Sequence, residues 1–514
     1  MGGDTVCKDV LAKAEVDRGS NFHKRGKVLE AVSCYEKALQ YLDVCETKVI
    51  PLVRRSEVVA EALHLLAAAR TQLLQKNYGG AEEDDEIDDS CDRGQRVPCS
   101  ISPSEQAVVQ HSVAMMKAAL ECLPGGADEK RARIMHSTGV ALILLGADSS
   151  KEALDNFRRS VQLLPNWWSA RVNLCKAIRR RAKCAPMDEQ RKLDEEAVCC
   201  MREMASQRPD EPRAFYRLGM ALKSVGKTSE AIEALETHVS KTELLGLEAT
   251  GKLPHTRHWL AVLKGETTTT APPEYVSELF DYYAEKFEHH LVEKLHYNTP
   301  SLLMEDLACV DLSAVHRCAD LGCGTGLMGP PLRAHGLRGL LEGVDLSEGM
   351  LLQCHKKGGR GVGYDRLLCG DVADIFTHLP TEPSMEEPVP VERPERNPER
   401  EKRGSSEASF FQLVVAADVF VYIGDLLPVV RIVSQWLAVQ GVFAFSTECV
   451  HQSGPFEYRI TETGRYVHNP DFIRQLCEGE GLEFVSVRPV VLRMNGGKPV
   501  TGHIHVMRKL CEQS

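Results

Sequence analysis

The pattern of hydrophobic positions divides the chain into two parts. Up to about residue 265, apolar residues recur at the three- and four-residue intervals of amphipathic helices, one helix after another. From Ala319 onward, short apolar runs alternate with helical segments, which favours a mostly parallel sheet flanked by helices. At 514 residues the chain is also too long for one hydrophobic core. We therefore predict an all-α part, residues 1–265, followed by an α/β part.

Small residues recur at fixed spacing in the helical part. The set Gly19, Phe22, Ala31, Tyr35 and Ala38 is repeated as Gly219, Leu222, Ala231, Leu235 and His238, and a third copy has Gly139, Leu142, Ala153 and Phe157 with two extra residues in its turn. This spacing predicts paired helices that cross at small side chains. It resembles the tetratricopeptide repeat (TPR), whose helix pairs stack into a superhelix. The resemblance implies a concave face that binds a partner or substrate protein.

Three segments lack the pattern of a packed core. The acidic run at residues 82–89 lies in an insertion at about 79–103, and the segment 379–408 contains six prolines and thirteen charged residues. We predict that both insertions are disordered. Residues 266–273, within "KGETTTTAPPEY", are interpreted as a linker, and residues 274–510 as the α/β domain.

Glycines follow the first apolar run of the α/β part, in the stretch "RCADLGCGTGLMG". Gly322, Gly324 and Gly326 lie where this strand should end, and an absent Cβ lets a ligand approach the main chain there. Asp345 ends the second apolar run and can accept hydrogen bonds from both hydroxyls of a ribose. Together they indicate a ligand that contains adenosine. Leu327 departs from the dinucleotide pattern G-x-G-x-x-G, and the carboxylate of Asp320 suits an amino group better than a pyrophosphate.

Four ordered motifs then carry a resemblance to a known family. The segments "DLGCGTG", "GVDLSEGML", "GDV" and "AADVFVYIGDL" resemble the class I methyltransferases that use S-adenosylmethionine. The flanks "EYVSELFDYYAEKFEHHLVEKLHYNTPSLL" and "ITETGRYVHNPDFIRQL" are similar to a subgroup that carries TPR repeats before the methyltransferase domain. The resemblance implies a Rossmann-like domain with a mostly parallel, seven-stranded sheet.

The resemblance also implies a set of cofactor-binding residues. Asp320 and the segment Gly322, Cys323, Gly324, Thr325 and Gly326 would hold the methionine part, Asp345 and Leu346 the ribose, Asp371 and Val372 the adenine, and Asp418 would face the methionyl end. Tyr282 and Tyr283, with Phe287 nearby, would close over the cofactor; plain helix packing is the alternative for each of them.

The motif "TGRYVH" stands where this fold usually keeps its substrate lid, which makes Arg465, Tyr466 and His468 the catalytic candidates. Arg465 could pair with a substrate carboxylate through its planar guanidinium group. If the acceptor must lose a proton, His468, Tyr458, His451 or Glu448 could serve as the base. A structural role for each remains the alternative.

Composition narrows the function further. The eighteen cysteines form no C-x-x-C pair, which indicates reduced thiols in a cytoplasmic protein and makes a zinc site unexpected. A net charge of −11 argues against sequence-independent binding of nucleic acid. No apolar run reaches 18 residues, so we expect no membrane span.

We therefore expect methyl transfer from S-adenosylmethionine, with no metal, to an acceptor that the sequence leaves open. A small molecule, a carrier-bound acid and a protein side chain all remain candidates. The alternative is a TPR interaction scaffold whose methyltransferase domain is vestigial or senses the cofactor.

Overall fold

The computed structural model describes residues 2–41, 57–77, 102–146, 149–247, 252–284, 287–288, 295–357, 363–372, 410–450, 456–495 and 497–510. Contacts divide the chain into two compact units, one up to Lys241 and one from Thr242, earlier than the boundary predicted at residue 265. The predicted insertion 379–408, and that at 79–103 except for its last two residues, lie outside the described residues. No helix in the described ranges is long and apolar enough to span a membrane.

The first unit consists of helices. Its helices are α1 (Gly2–Lys24), α2 (Val28–Tyr41), α3 (Glu57–Asn77), α4 (Pro103–Cys122), α5 (Asp128–Leu144), α6 (Ser150–Leu163), α7 (Trp168–Cys184), α8 (Met187–Gln207), α9 (Pro212–Ser224) and α10 (Thr228–Leu244), and the unit boundary falls in the last turn of α10. Ser102 caps α4 with its side chain, so the helix begins inside the predicted insertion. Consecutive helices pack as pairs, α1 with α2, α3 with α4, α5 with α6 and α7 with α8.

The predicted small residues lie at helix crossings. A Cβ added to Gly19 would come within 2.5 Å of the Tyr35 ring, and one added to Gly139 within 2.8 Å of the Phe157 ring. Gly219 is equally close to Leu235, at 2.5 Å. Each glycine therefore lets the second helix of its pair approach the first. The crossing prediction is confirmed at all three copies, whereas membership in the TPR family stays a prediction.

The second unit contains the remaining elements. They are α11 (Leu253–Lys264), α12 (Pro273–Tyr283), α13 (Thr299–Asp306), β1 (Arg317–Leu321), α14 (Gly329–Ala334), β2 (Leu340–Asp345), α15 (Glu348–Lys356), β3 (Arg366–Cys369), β4 (Phe411–Ala416), α16 (Leu427–Trp436), β5 (Leu437–Glu448), β6 (Tyr458–Ile460), β7 (Tyr466–His468), α17 (Pro470–Gly479), β8 (Leu482–Asn495) and β9 (Lys498–Lys509). The short apolar runs that begin near Ala319 form strands, as predicted.

Seven of these strands form one sheet in the order β3-β2-β1-β4-β5-β9-β8. Neighbours from β3 to β5 are parallel, and β9 is antiparallel to both β5 and β8. The prediction of a mostly parallel, seven-stranded sheet is thus confirmed. The chain leaves β1 toward β2 and β3, then returns to β4 on the other side of β1. Such a reversal opens a crevice at the carboxyl ends of the central strands, where ligands bind in open α/β sheets.

Alternate residues of the central strands face two hydrophobic cores, one on each side of the sheet. Cys318 of β1 and Leu413 of β4 belong to one core, whereas Ala319 of β1 and Val414 of β4 belong to the other. Because both faces are covered, these strands are apolar almost throughout. Asp320 and Asp345, polar residues at the carboxyl ends of β1 and β2, lie at the edge that forms the site.

Candidate functional site

A cavity of about 410 Å³ lies at the carboxyl edge of the parallel strands in the second unit. Residues that follow β1, β2, β3 and β4 line it, together with side chains of α12. Most of the predicted cofactor residues share this cavity: Asp320, Gly322, Cys323, Gly324, Thr325, Asp345, Leu346, Asp371, Val372, Asp418 and Tyr283 all line it. A cavity of this size suits a ligand of nucleoside dimensions.

The glycine bend begins directly after β1. Gly322 has a φ of +66°, and a Cβ there would overlap the side chain of Val419. Gly324 has a φ of +55°, but the nearest atom to a Cβ there would be Phe287 Cε1 at 3.8 Å. The left-handed backbone favours glycine at both positions. The bend therefore leaves main chain, rather than side chain, facing the cavity.

Asp345 joins the glycine bend to the end of β2. Its Oδ2 accepts a hydrogen bond from the Gly324 amide at 2.8 Å, and its Oδ1 accepts one from the Ser347 amide at 2.8 Å. Burial raises the pKa of Asp345 to about 6 despite these two bonds. Each oxygen retains a further lone pair with which it can accept a ligand hydroxyl.

Asp320, the penultimate residue of β1, is the most deeply buried acid at the cavity. The Tyr364 hydroxyl donates a hydrogen bond to its Oδ2. Burial raises the pKa of Asp320 to about 7; the Tyr364 hydrogen bond opposes this rise, and the nearby charge of Asp345 adds to it. Asp320 therefore takes up a proton more readily than an ordinary aspartate, and a cationic amino group would favour its charged form.

Asp371 and Val372 follow β3 and line the cavity beside the end of β2. Val372 is 5% exposed, so its side chain can form a flat apolar wall. The structure thus places these two residues in the same cavity as Asp345, and their roles at an adenine ring stay predictions.

Asp418 has an unusual backbone conformation for a residue with a side chain. Its φ is +59°, and its amide donates a hydrogen bond to Ser446 Oγ at 2.8 Å. Arg493 Nη1 donates to Asp418 Oδ2, while Arg493 Nη2 donates to Glu448 Oε1. Burial raises the pKa of Asp418, and the Arg493 charge opposes the rise. Such a conformation costs about 1–3 kcal/mol and persists only where the surroundings impose it.

Arg493, which lines the cavity, was missed by the sequence interpretation. It lies in β8 next to a register shift between Val491 and Arg493, so two successive residues, Leu492 and Arg493, are both buried. A bulge of this kind turns a side chain toward the opposite face of the strand. Simple alternation along "VVLRM" could not have indicated it.

The residues of "TGRYVH" have different positions relative to the cavity. Arg465 lines it, with Nη1 3.8 Å from Glu448 Oε1. Tyr466 and His468 are fully buried in β7 and are not among the residues that line it. The Tyr466 hydroxyl bonds Thr268 Oγ1, and His468 Nε2 lies 3.0 Å from the Gly424 carbonyl oxygen, to which it donates. Burial lowers the pKa of His468 to about 4.

Tyr466 and His468 therefore lie away from the cavity wall, with polar atoms bonded to Thr268 and Gly424, and a catalytic role for either stays a prediction. Two of the residues suggested as a base also lie away from the cavity. Tyr458 lies in β6 and Glu448 is paired with Arg493, and neither of them lines the cavity. His451 lies outside the described residues.

Two other predicted residues also lie away from the cavity wall. Tyr282 is 39% exposed and does not line the cavity, whereas Tyr283 and Phe287 do. Gly326 does not line it either; its amide donates to the Cys323 carbonyl at 2.9 Å and so closes the glycine bend.

The segment interpreted as a linker contributes to the wall. Thr269 and Thr270 line the cavity, and the Thr269 carbonyl accepts hydrogen bonds from the amides of Gly424 and Asp425, each at 2.8 Å. The Ala271 amide donates to the Tyr422 carbonyl at 2.9 Å. Residues 269–271 are thus tied to the loop that follows β4.

Comparison with solved structures finds similar chains among S-adenosylmethionine-dependent methyltransferases. The magnesium protoporphyrin IX methyltransferase ChlM from Synechocystis PCC 6803, solved with bound SAH, is 14% identical over 46% of this chain and 100% of its own, with a TM-score of 0.32. A methyltransferase from Mesorhizobium loti is 18% identical over 41% of this chain and 96% of its own, with a TM-score of 0.29.

MamA is similar at 15% identity over 44% of this chain and 96% of its own, with a TM-score of 0.29. No protein-family model and no curated protein match the sequence. Similarity at this level assigns no activity, so the site itself has to support one.

Proposed function

We propose that the second unit binds S-adenosylmethionine and transfers its methyl group to an acceptor. The observation that carries the proposal is the contact between Asp345 and Gly324 at a strand edge that also presents Asp320, Asp371 and Asp418 to one cavity. A carboxylate beside exposed main chain suits a ribose, and further acids suit the amino groups at the two ends of this cofactor. The carboxylates beside the glycine bend, Asp320 and Asp345, would repel a pyrophosphate at that position.

In this proposal, different residues along the cavity bind different parts of the cofactor. Asp345 would hold the ribose, Asp371 and Val372 the adenine, and the glycine bend with Asp320 the amino-acid end. Bound S-adenosylmethionine supplies a methyl group that its sulfonium charge has already activated. The protein then has to position a nucleophile and exclude water, and the buried wall that includes Tyr283 and Phe287 suits the second task.

Arg465 is our candidate for acceptor binding. It lines the cavity together with Asp418, Arg493 and apolar residues of the loop after β4, including Val421 and Ile423. A guanidinium group at an apolar cavity wall can pair with a carboxylate on the acceptor. A small or carrier-bound acid therefore suits the site best among the acceptors that the sequence left open. We propose that the helical unit recruits the partner or carrier.

The test is transfer of a labelled methyl group from S-adenosylmethionine to fractions of a cell extract. We expect one fraction to gain label with the native protein and none with Asp345→Ala, which removes the ribose acceptor. The alternative of a cofactor-sensing scaffold predicts binding of the labelled cofactor without transfer to any fraction. If neither the native protein nor Asp345→Ala binds the labelled cofactor, both methyl transfer and cofactor sensing are excluded.

A further inference from the structure

Helix α12 forms one wall of the cavity and is attached to the strand edge that carries Asp345. Phe280 and Tyr283 of this helix line the cavity. Asp281, between them, is exposed and does not line the cavity, but its Oδ1 accepts hydrogen bonds from Ser347 Oγ at 2.6 Å and from the Gly349 amide at 2.8 Å. This side chain therefore connects α12 to the beginning of α15.

Ser347 links Asp281 directly to Asp345. Its hydroxyl donates to Asp281, while its amide donates to Asp345 Oδ1. Ser347 is fully buried and its Oγ also accepts from the Met350 amide at 3.0 Å, so it caps α15. A displacement of Asp281 would be transmitted to Asp345 through a single residue.

Gly349 permits the close approach of the two helices. A Cβ at this position would lie 2.9 Å from Asp281 Oδ1 and 3.1 Å from Asp281 Cα. Any larger residue would push α12 away from α15. The absence of a side chain at Gly349 lets its amide reach Asp281 Oδ1.

We propose that Asp281 is a positioning residue for the cofactor, because it holds the α12 wall against the strand end that carries Asp345. The inference rests on the proposed function. The sequence motif of the helix pointed to its aromatic residues and gave no indication of the acid between them.

The charge of Asp281 provides a readout that a purely structural role would not change. The titratable groups facing Asp345 are Asp281 on α12, Asp320 on β1, Cys323 in the glycine bend and Cys354 on α15. Burial raises the pKa of Asp345 to about 6, and the Asp281 charge adds to this rise. Asp345 must be ionised to accept two hydroxyl donors, so its contribution to affinity should be lost as the pH drops through about 6, below the loss expected from protonation of Asp320 near pH 7.

The test is calorimetric titration of the full chain with S-adenosylhomocysteine between pH 5 and pH 8. Asp281→Ala removes the acceptor and should weaken binding about tenfold at pH 8, as expected for hydrogen bonds to a charged group. Asp281→Asn keeps an acceptor oxygen but removes the charge. The Asp281→Asn variant should bind S-adenosylhomocysteine well at pH 8. As the pH is lowered, it should lose affinity at a lower pH than the native protein does.

Glu278→Gln is the matched control. It removes one charge from the same helix, but Glu278 pairs with Lys252 and His255. Its binding curve should coincide with that of the native protein.

The inference is overturned if Asp281→Asn follows the native pH curve, or if Glu278→Gln shifts the curve as far as Asp281→Asn does. The Asn variant decides the question even if Asp281→Ala fails to fold. Absence of binding by the native protein at every pH would instead contradict the proposed function itself.

Discussion

Individual residues at the glycine bend show how the backbone, rather than side chains, forms the ligand edge. Gly322 and Gly324 both have left-handed backbone conformations, but their surroundings differ. Gly322 faces Val419 directly, whereas the neighbourhood of Gly324 is open as far as Phe287. The two glycines should therefore respond differently to the same substitution.

A left-handed conformation costs a residue with a side chain about 1–3 kcal/mol. Gly322→Ala should lower the free energy of unfolding by more than this, because its Cβ would also overlap Val419. Gly324→Ala should lower the free energy of unfolding only by the cost of the left-handed conformation. It should also weaken cofactor binding, because its methyl group points toward the cavity wall. Urea unfolding of the two variants measures the difference. An equal or greater loss of stability at Gly324 would contradict this account of the bend.

At the same scale, residue type alone could not decide which polar residues serve the site. His468 and Arg465 are three residues apart in one motif, yet Arg465 reaches the cavity and His468 donates to a backbone carbonyl. Asp345 could be predicted because a carboxylate at a strand end next to glycines has a specific chemical use. A histidine in a short hairpin has no comparably specific use, so its type and position do not show whether it serves the site.

At the scale of elements, the strand register is reinforced by a buried ionic network at the edge opposite the cavity. Glu342 in β2 is 1% exposed and accepts hydrogen bonds from Arg317 Nε at 2.7 Å and from Arg366 Nη1 at 3.1 Å. Arg317 lies in β1 and Arg366 in β3, so one acid joins three adjacent strands. The Arg317 guanidinium also lies over the Phe411 ring of β4, at 4.4 Å.

Glu342→Gln should therefore cost about 3–5 kcal/mol, because it leaves buried arginine charges without compensation. Glu478→Gln is the comparison, since Glu478 pairs with Arg474 at 2.9 Å on an exposed helix surface. Loss of such a surface pair typically costs less than about 1 kcal/mol. Urea denaturation of both variants tests the difference, and similar midpoints would show that the network does not stabilise the sheet.

The elements were more predictable than the side-chain directions within them. Apolar runs such as the one in β4 predicted the strands of the seven-stranded sheet, because central strands covered on both faces are apolar almost throughout. The hairpin of β6 and β7 was missed, because its strands are only three residues long each. Arg493 was missed because a local bulge changes the alternation of β8.

At the scale of the whole molecule, the two compact units correspond to the two hydrophobic patterns of the sequence. The boundary between the units lies before the predicted residue 265, because residues 253–264, which are helical as in the first unit, group with the second. Helical periodicity identifies an element but not the core against which it packs. The described elements of the site all belong to the second unit, from Thr269 to Arg493.

Equilibrium titration of the full chain with S-adenosylhomocysteine at pH 8 shows whether the strand edge at Asp345 holds a nucleoside. We predict saturable binding at one site per chain, lost on substitution of Asp345 by Ala while the thermal unfolding of the variant shows a folded protein. The absence of heat from the native protein, or equal binding by the folded Asp345→Ala variant, would contradict the claim that this carboxylate and the adjacent glycine bend hold the nucleoside.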